Sequence, residues 1–477
     1  MFKRMRVPHC VTHLEPLLHR FTPPKSSSIM SDSQSTLVSL AAKVSELSAT
    51  LARHLKENNV PEPSFAADSP VMYNTASPEI FMARQVLLDA LNDMWYLTQG
   101  PSESIFNYCH NTMPDVACLN ILNHFGFWSA VPLDGSASYS EIAKHVNLPE
   151  DIVRRVLQHA VNIRLFAETE PGKSTSSIQH TCRSAAVAKQ PGLSALIHTV
   201  LDEAGQPLVV INEALERFNQ GKPSLTQEMN ETAFALFHDQ GPYGKYSNSW
   251  EFIEQDGEGE KKGWRQRNFV TFMAYLKEIF HLEGVVDNSY DWKSVGKASI
   301  VDIGGSAGHD AFVLAQKYPE LTITVQDLPK CGPVFEANVP AELKSRVSFL
   351  AHDFFEPQPV QADIYIIKLI LHDWPDKESV RMLRALTPAL KPGARILFIE
   401  YIGKQDDSEK SAVALPRSFQ QMGTATDLRM MALFNSEERP VSAWKAIFRA
   451  ADERYEFVSV NAKPETFFAV IEVVWRG

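Results

Sequence analysis

Ser299-Ile300-Val301-Asp302-Ile303-Gly304-Gly305-Ser306-Ala307-Gly308-His309 decides the fold of this chain. A short run of β-branched residues ends in a turn of glycines. A second run, Leu321-Thr322-Ile323-Thr324-Val325-Gln326, leads into Asp327, nineteen residues after Gly308. This is the outline of a βαβ unit that takes a nucleotide or nucleoside. Glycines let the backbone approach a ligand closely, and an acid after the second strand can accept both hydroxyls of a ribose.

Two other readings of the same residues can be weighed at once. A dinucleotide site needs the register G-x-G-x-x-G. Counting from Gly304 puts Ser306 and His309 at the later glycine positions, and counting from Gly305 puts Ala307 and Asp310 there, so the register fails. Gly304-Gly305-Ser306-Ala307-Gly308 also spells the G-x-S-x-G of serine hydrolases, and Asp327 or Asp353 with His372 comes in the required chain order. A nucleophile elbow normally comes after several strands of its sheet, whereas the residues before 298 read as mostly helical. The hydrolase remains an alternative, as does a ligand-binding wound domain without chemistry.

The bulk composition narrows the class further. A chain of 477 residues has length for more than one structural unit and a large core. Its apolar content of 44% and charged content of 22% are those of a soluble globular protein. The net charge of -11 argues against nucleic acid as a partner, because phosphate binding needs clustered cations. No apolar run approaches the ~20 residues that span a bilayer, so no membrane partner is expected. The richest run, at 364–371, is interrupted by Lys368. Cys10, Cys109, Cys118, Cys182 and Cys331 lie far apart and odd in number, which fits neither a zinc site nor a disulfide framework. Reduced thiols and a cytoplasmic location are therefore expected. Residues 1–35 read as a disordered basic tail without the apolar core of a secretory signal, and Met30-Ser31-Asp32 also reads as a start.

Residues 36–58 place Leu37, Leu40, Val44, Leu47, Leu51 and Leu55 on one helical seam, which suits packing on its own domain or on a second subunit. A Pro-, Ser- and Ala-rich linker comes next at 61–78, then more helix to about 130. Ser138-Tyr139-Ser140-Glu141-Ile142-Ala143, a turn at Asn147 and a helix at 149–165 predict a helix-turn-helix of the winged kind. Arg154 and Arg155 on its second helix are offset by Glu150 and Asp151, so a structural or dimerising role is expected rather than DNA binding. Helix is predicted again over 192–281, interrupted at 255–263.

After Trp292 strands alternate with helices, which implies a mostly parallel sheet. Strands are predicted at 298–303, 321–326, 346–352, 362–371 and 394–401. A last pair, 455–461 and 466–475 joined by Ala462-Lys463-Pro464-Glu465, reads as a hairpin that puts one antiparallel strand in the sheet. The units expected are thus 1–35, 36–190, a helical connector and acceptor-pocket region at 191–290, and an α/β catalytic domain at 291–477.

Ligands of a wound sheet lie at the carboxyl ends of its strands. Those ends supply Gly304 to Gly308, then Asp327, then Asp353 with Phe354 and Phe355, then Lys368, His372, Asp373 and Trp374, and last Glu400. Three carboxylates, a histidine and several aromatics converge on one rim. Singly, His372 reads equally as a partly buried structural histidine, Asp353 as a helix cap, and Met422, Met430 and Met431 as core.

Together with Val325-Gln326-Asp327-Leu328-Pro329, His352-Asp353-Phe354-Phe355, Lys368-Leu369-Ile370-Leu371-His372-Asp373-Trp374-Pro375-Asp376, Pro392-Gly393-Ala394-Arg395-Ile396 and Asn435-Ser436-Glu437-Glu438-Arg439, the glycine stretch resembles the successive motifs of S-adenosylmethionine-dependent O-methyltransferases of the plant caffeate/flavonoid type. The resemblance runs from about 291 to 451 and is strongest to the fungal branch acting on aromatic polyketides. It implies a class I methyltransferase fold, Rossmann-like and closed by an antiparallel hairpin, behind a helical, winged-helix dimerisation region.

It also implies roles residue by residue. Gly304, Gly305 and Gly308 would receive the methionine part of S-adenosyl-L-methionine, Asp327 beside Leu328 its ribose, and Asp353 with Phe354 its adenine. Lys368 would approach the cofactor from the fourth strand. His372 would be the general base, flanked by Glu400 and Glu438, and Met431 and Asn435 would line the acceptor pocket. Ser306 departs from the pattern, since many relatives carry glycine there. No metal is implied, and the implied assembly is a homodimer.

The chemistry is consistent on physical grounds. A sulfonium carries an activated methyl group, so transfer needs a nucleophile held in line. A phenol with a pKa near ~10 is mostly neutral at pH 7, and an imidazole titrating near ~6.5 can take its proton during attack. One rival shares the scaffold: some fungal proteins resembling this family bind the same cofactor yet catalyse pericyclic rearrangements, the base position being replaced. His110 and Lys368 would serve that reaction here, whereas the presence of His372 favours methyl transfer.

Overall fold

The computed structural model of the chain describes residues 35–72, 77–239, 241, 243–279, 283–401, 416–463 and 468–477. The basic tail up to residue 34 and the 464–467 part of the final turn lie outside the described residues.

Helix α1 (Leu37–Glu57) starts at a reciprocal cap in which Thr36 Oγ1 accepts from the Ser39 amide and Ser39 Oγ from the Thr36 amide. Of its leucine seam Leu40 and Leu55 are buried, and the helix lies along α2 (Pro78–His124), on its own domain. Helix α2 is kinked where Gly100 leaves helical geometry at φ 76° just before Pro101, whose ring cannot follow a regular turn. Trp95, Tyr96, Ile105, Phe106 and Tyr108 remain exposed along it.

The tight helix pair is found as α3 (Tyr139–Val146) and α4 (Glu150–Asn162), joined through Asn147 in left-handed geometry at φ 55°. Three short strands pair in the order β1-β3-β2: β1 (Ser136–Ala137), β2 (Phe166–Glu168) and β3 (Ile178–His180), all antiparallel. On α4, Arg154 is held by Glu150 at 2.8 Å and lies over the Tyr139 ring, so its charge is already paired.

The region after Pro191 is more broken than the helix pattern predicts. Helices at Pro191–Ile197, Ile211–Phe218, Ala233–Asp239 and Ser249–Gln255 are short, and only α5 (Trp264–Ile279) is long. The break after Phe218 comes from Gly221 at φ 76° and Pro223, which halt a helix together. His198–Glu203 forms a π-helical turn.

The C-terminal sheet agrees closely with the prediction. Its strands β4 (Ala298–Ile303), β5 (Leu321–Asp327), β6 (Val347–Ala351), β7 (Ile364–Lys368), β8 (Arg395–Tyr401), β9 (Tyr455–Lys463) and β10 (Phe468–Trp475) lie in the order β6-β5-β4-β7-β8-β10-β9. Neighbours from β6 to β8 pair in parallel, while β10 runs antiparallel to both β8 and β9. The order reverses between β4 and β7, and that switch point opens the crevice where ligands of such sheets bind. Helix α6 (His309–Lys317) buries Leu314 and Ala315 on one face, against Ile300 and Ile323. Helices α7 (Asp376–Leu386) and α9 (Val441–Ala451) bury Leu383, Trp444 and Phe448 on the other, while α8 (Arg417–Phe434) reaches back to α2.

Strand β7 ends earlier than predicted. Leu369 turns left-handed at φ 55°, and Leu371–Asp373 forms a 3-10 turn instead of more strand. The cause is Glu400, whose carboxylate accepts from the amides of Ile370 and Leu371 and so draws the chain out of the sheet ladder.

Candidate active site

Two walls of the crevice come from the glycine turn and the loop after β7. Gly304 stands at φ 69° and Gly308 at φ 82°, both left-handed. An added Cβ on Gly304 would meet Ile370 Cδ1 at 2.6 Å, so the turn lies directly against the loop that carries His372. A Cβ on Gly305 would meet Asp302 Oδ2 at 2.4 Å. Ser306 sits at φ 51°, a conformation that strains an L side chain and explains why glycine suits this position.

The acid after β5 braces this turn. Asp327 Oδ2 accepts from the Ser306 amide at 2.9 Å, and its Oδ1 from the Leu328 amide at 2.7 Å. Leu328 is 40% exposed, an apolar side chain left at the rim. Asp353 is exposed too; it accepts from the Phe355 amide at 3.0 Å and so closes a turn rather than capping a helix. Phe354 and Phe355 stand edge-on to Trp374, with centroids 5.9 and 4.8 Å away.

Lys368, at the end of β7, is ion-paired with Asp310 in the first turn of α6, each 16% exposed. Beneath them Asp302 is buried, and its carboxyl is pushed up to about 7, first by burial and then by the charge of Asp310, against the pull of Lys368. Sequence reasoning passed over Asp302 and Asp310. Their signal was available: one acid before the glycine turn and one in the helix turn after it flank the same motif.

His372 stands among three carboxylates. Its Nδ1 lies 3.1 Å from Glu438 Oε1, and its Nε2 lies 3.7 Å from Asp373 Oδ1. Its side chain keeps 17% exposure, enough for a substrate to reach. Glu400 does not touch the ring. Its Oε1 accepts from the backbone amides of 370, 371 and, at 3.4 Å, His372, so it shapes the loop and acts on the imidazole by charge. Burial opposes a charged imidazole here, but Asp373, Glu400 and Glu438 outweigh it and lift the group to about 10. Burial pushes Asp373 up to about 6 and Glu400 up to about 7, the His372 charge opposing in both. Asp373 stands out in the sequence only as part of the rim, and it joins the cluster directly. Glu400 Oε2 and Glu438 Oε2 are buried without a hydrogen-bond partner.

The far wall is formed by α8 and the segment just C-terminal to it. Ser436 Oγ donates to the carbonyls of His372 and Trp374 at 2.6 and 2.8 Å, pinning the histidine loop. Met431 is partly exposed, but Asn435 is not open: it closes α8 in left-handed geometry, is 6% exposed, and donates its amide to the Glu228 carbonyl at 2.9 Å. Behind them Phe234, Phe252 and Phe434 form an aromatic cluster, with Trp250 stacked on Phe434 at 5.6 Å. Next to it the guanidinium of Arg265 binds Asp202, Glu203 and Asp256 at 3.0, 3.2 and 2.6 Å. A hydrolase triad finds no support, because among the described residues no hydrogen bond joins His372 to Ser306, whose amide bonds to Asp327 instead.

These residues suit a cofactor with a nucleoside and a positive charge. The two unpartnered carboxylate oxygens leave negative charge unspent around the loop that packs on the glycine turn, and Asp327 with Leu328 offers an acid and an apolar edge. Among the described residues no group of three His, Cys, Asp or Glu side chains is arranged to hold a metal, and no helix is long and apolar enough to cross a membrane.

Comparison with known proteins agrees with that chemistry. Residues 250–452 match the model of the O-methyltransferase domain family. The O-methyltransferase lcsG of Purpureocillium lilacinum is 43% identical over 437 residues, which cover 91% of this chain and 92% of that one. Among solved structures, a pericyclic reaction enzyme superposes with a TM-score of 0.62 at 20% identity, covering 91% of this chain and all 100% of the other. The mitomycin 7-O-methyltransferase MmcR does so with a TM-score of 0.62 at 20% identity, covering 78% of this chain and 98% of its own. At that identity the two structures speak for the fold.

Proposed function

This chain belongs to the S-adenosylmethionine-dependent O-methyltransferase family, and from that premise we propose that it methylates a phenolic hydroxyl of an aromatic, polyketide-like metabolite with His372 as general base. The observation that carries the reading is the His372–Glu438 contact of 3.1 Å at the strand edge beside the glycine turn.

S-adenosylmethionine supplies an electrophilic methyl group on a sulfonium. In this reading Gly304, Gly305 and Gly308 give its methionine portion room, Asp327 and Leu328 hold the ribose, and Asp353 with Phe354 holds the adenine. Lys368, steadied by Asp310, borders the cofactor from β7. The acceptor oxygen would meet His372 Nε2, which Glu438 leaves free and Asp373 Oδ1 approaches only to 3.7 Å, and would give up its proton there. Glu438 fixes the ring orientation and stabilises the imidazolium that forms, while Glu400 and Ser436 hold the loop from two sides. Met431 and the aromatic cluster behind α8 suit a flat, apolar acceptor; the Asn435 amide is engaged elsewhere, so its part is to shape the helix end.

The same reading makes residues 36–190 a dimerisation region. The exposed Trp95, Tyr96, Ile105, Phe106 and Tyr108 on α2 support it, because so large an apolar face favours a partner. A monomer by light scattering at micromolar concentration would refute that part. We also place the enzyme in the cytoplasm, where its free thiols stay reduced.

A pericyclic reaction on this scaffold is the second reading, since a pericyclic reaction enzyme shares the fold. Incubation with methyl-labelled S-adenosylmethionine and a panel of phenolic polyketides, read by mass spectrometry, separates the two. O-methyl transfer predicts labelled product. Isomerised acceptor with no label moved would overturn it in favour of rearrangement.

A further inference from the structure

The histidine cluster carries more negative charge than its one imidazole can answer. Asp373 from the loop itself and Glu438 from the segment after α8 face the His372 ring, and Glu400 from β8 accepts from the His372 amide, so three elements place a carboxylate around this residue. Glu400 and Glu438 are 0% and 1% exposed, and one oxygen of each has no partner. Among the described residues the neighbouring cations Lys368 and Arg439 are engaged elsewhere, Lys368 with Asp310 and Arg439 with Asp376 and Glu437. Among the described residues Asp427 accepts from the Glu438 amide, and Tyr401 faces Glu438 and Asp427.

Such a cluster holds a proton at neutral pH, and the imidazole is where charge favours it most, lifted to about 10. A protonated imidazole is no base. Something must remove the proton before a phenol can be activated, and Gly304 packs against Ile370, two residues before His372, so a cation bound at the glycine turn arrives beside the cluster.

We propose that the cluster of His372, Asp373, Glu400 and Glu438 exchanges its proton for the sulfonium charge of S-adenosylmethionine, so that cofactor binding converts His372 into a base. The N–H bond of the imidazolium breaks, its electron pair stays on nitrogen, and the proton passes to solvent. With that proton gone, the cluster would be able to take the acceptor's proton on His372. Asp373 is a positioning residue in this account, acting through the imidazole. The proposal rests on the methyltransferase reading.

The test is calorimetric titration of the full chain with S-adenosylmethionine and, separately, with S-adenosylhomocysteine, which lacks the methyl group and its charge. Each is run at pH 7.0 in two buffers of different ionisation heat, so that the buffer dependence counts protons. S-adenosylmethionine should release more protons per site than S-adenosylhomocysteine. That excess should vanish in His372→Ala and shrink in Asp373→Asn. Equal proton counts for the two compounds overturn the proposal while leaving the methyltransferase reading intact, and an excess that persists in His372→Ala overturns its assignment to this cluster. If neither compound binds, the cofactor reading fails and this proposal falls with it.

Discussion

Replacing Glu438 with glutamine removes a charge from His372 while keeping shape and volume. Glu438 is 1% exposed, its Oε1 lies 3.1 Å from Nδ1, and its Oε2 has no partner, so the Gln amide keeps an oxygen facing the ring and breaks no other hydrogen bond of the side chain. A hydrogen bond to a charged group contributes about 1.5–3 kcal/mol, and that stabilisation is felt when the ring becomes imidazolium in the transition state. Each 1.4 kcal/mol is about tenfold, so kcat should fall roughly 10- to 150-fold with little change in KM for S-adenosylmethionine. In the free protein the same loss should lower the titration midpoint of His372 by about one to two pH units, readable by NMR of ring-labelled histidine. The assay is label transfer to whichever phenol of the panel the wild type accepts. A kcat within twofold of wild type, with an unmoved midpoint, would refute the claim that Glu438 supports the imidazolium.

Three further changes test the frame around that site. Gly305→Ala forces a Cβ to within 2.4 Å of Asp302 Oδ2 and 2.8 Å of Val325 Cγ1, so it should cost about 1–3 kcal/mol in urea unfolding and weaken S-adenosylmethionine binding; wild-type values for both would contradict the packing. Ser306→Gly relieves a side chain at φ 51° and leaves its amide bond to Asp327, so unfolding should become harder by up to about 1 kcal/mol with cofactor affinity kept. A lower melting temperature in that variant would show the hydroxyl to matter more than the strain. Glu203, held up at about 7 by burial against the pull of Arg265, binds its proton more tightly folded than unfolded. It therefore supports stability below its unfolded value of about 4.3 and loses that support as pH rises through about 7, a swing of up to about 4 kcal/mol. The stability of Glu203→Gln relative to wild type should climb between pH 4.5 and 7.5, and a flat or falling difference would count against the burial of that charge.

The catalytic half of the chain was readable because its signals are local. Strand β4 matches its predicted span at both ends, and β10 is antiparallel as the hairpin pattern required, since β-branched runs bounded by Gly, Asp and Pro leave little choice of boundary. What escaped depends on contacts distant in sequence. The end of β7 is set by Glu400, thirty residues away from Ile370, and no pattern within 362–371 announces it. Asn435 lies in a recognisable motif, yet its amide is spent on Glu228, which sits in the poorly patterned stretch after Phe218. The fragmented helices of that stretch were missed because Gly221 and Pro223 were outweighed by helix-forming neighbours. Asp302 and Asp310 show their part only in the fold, where burial of one and the Lys368 ion pair of the other bring them together behind the glycines.

The central claim is that His372 removes the acceptor proton while the rest of the rim holds the cofactor. The most direct test compares wild type and His372→Ala for binding of S-adenosylmethionine and for single-turnover methyl transfer to the same phenol. The account predicts dissociation constants of similar size and transfer slower by roughly 10²- to 10⁴-fold in the variant. Transfer at close to the wild-type rate in His372→Ala would contradict it.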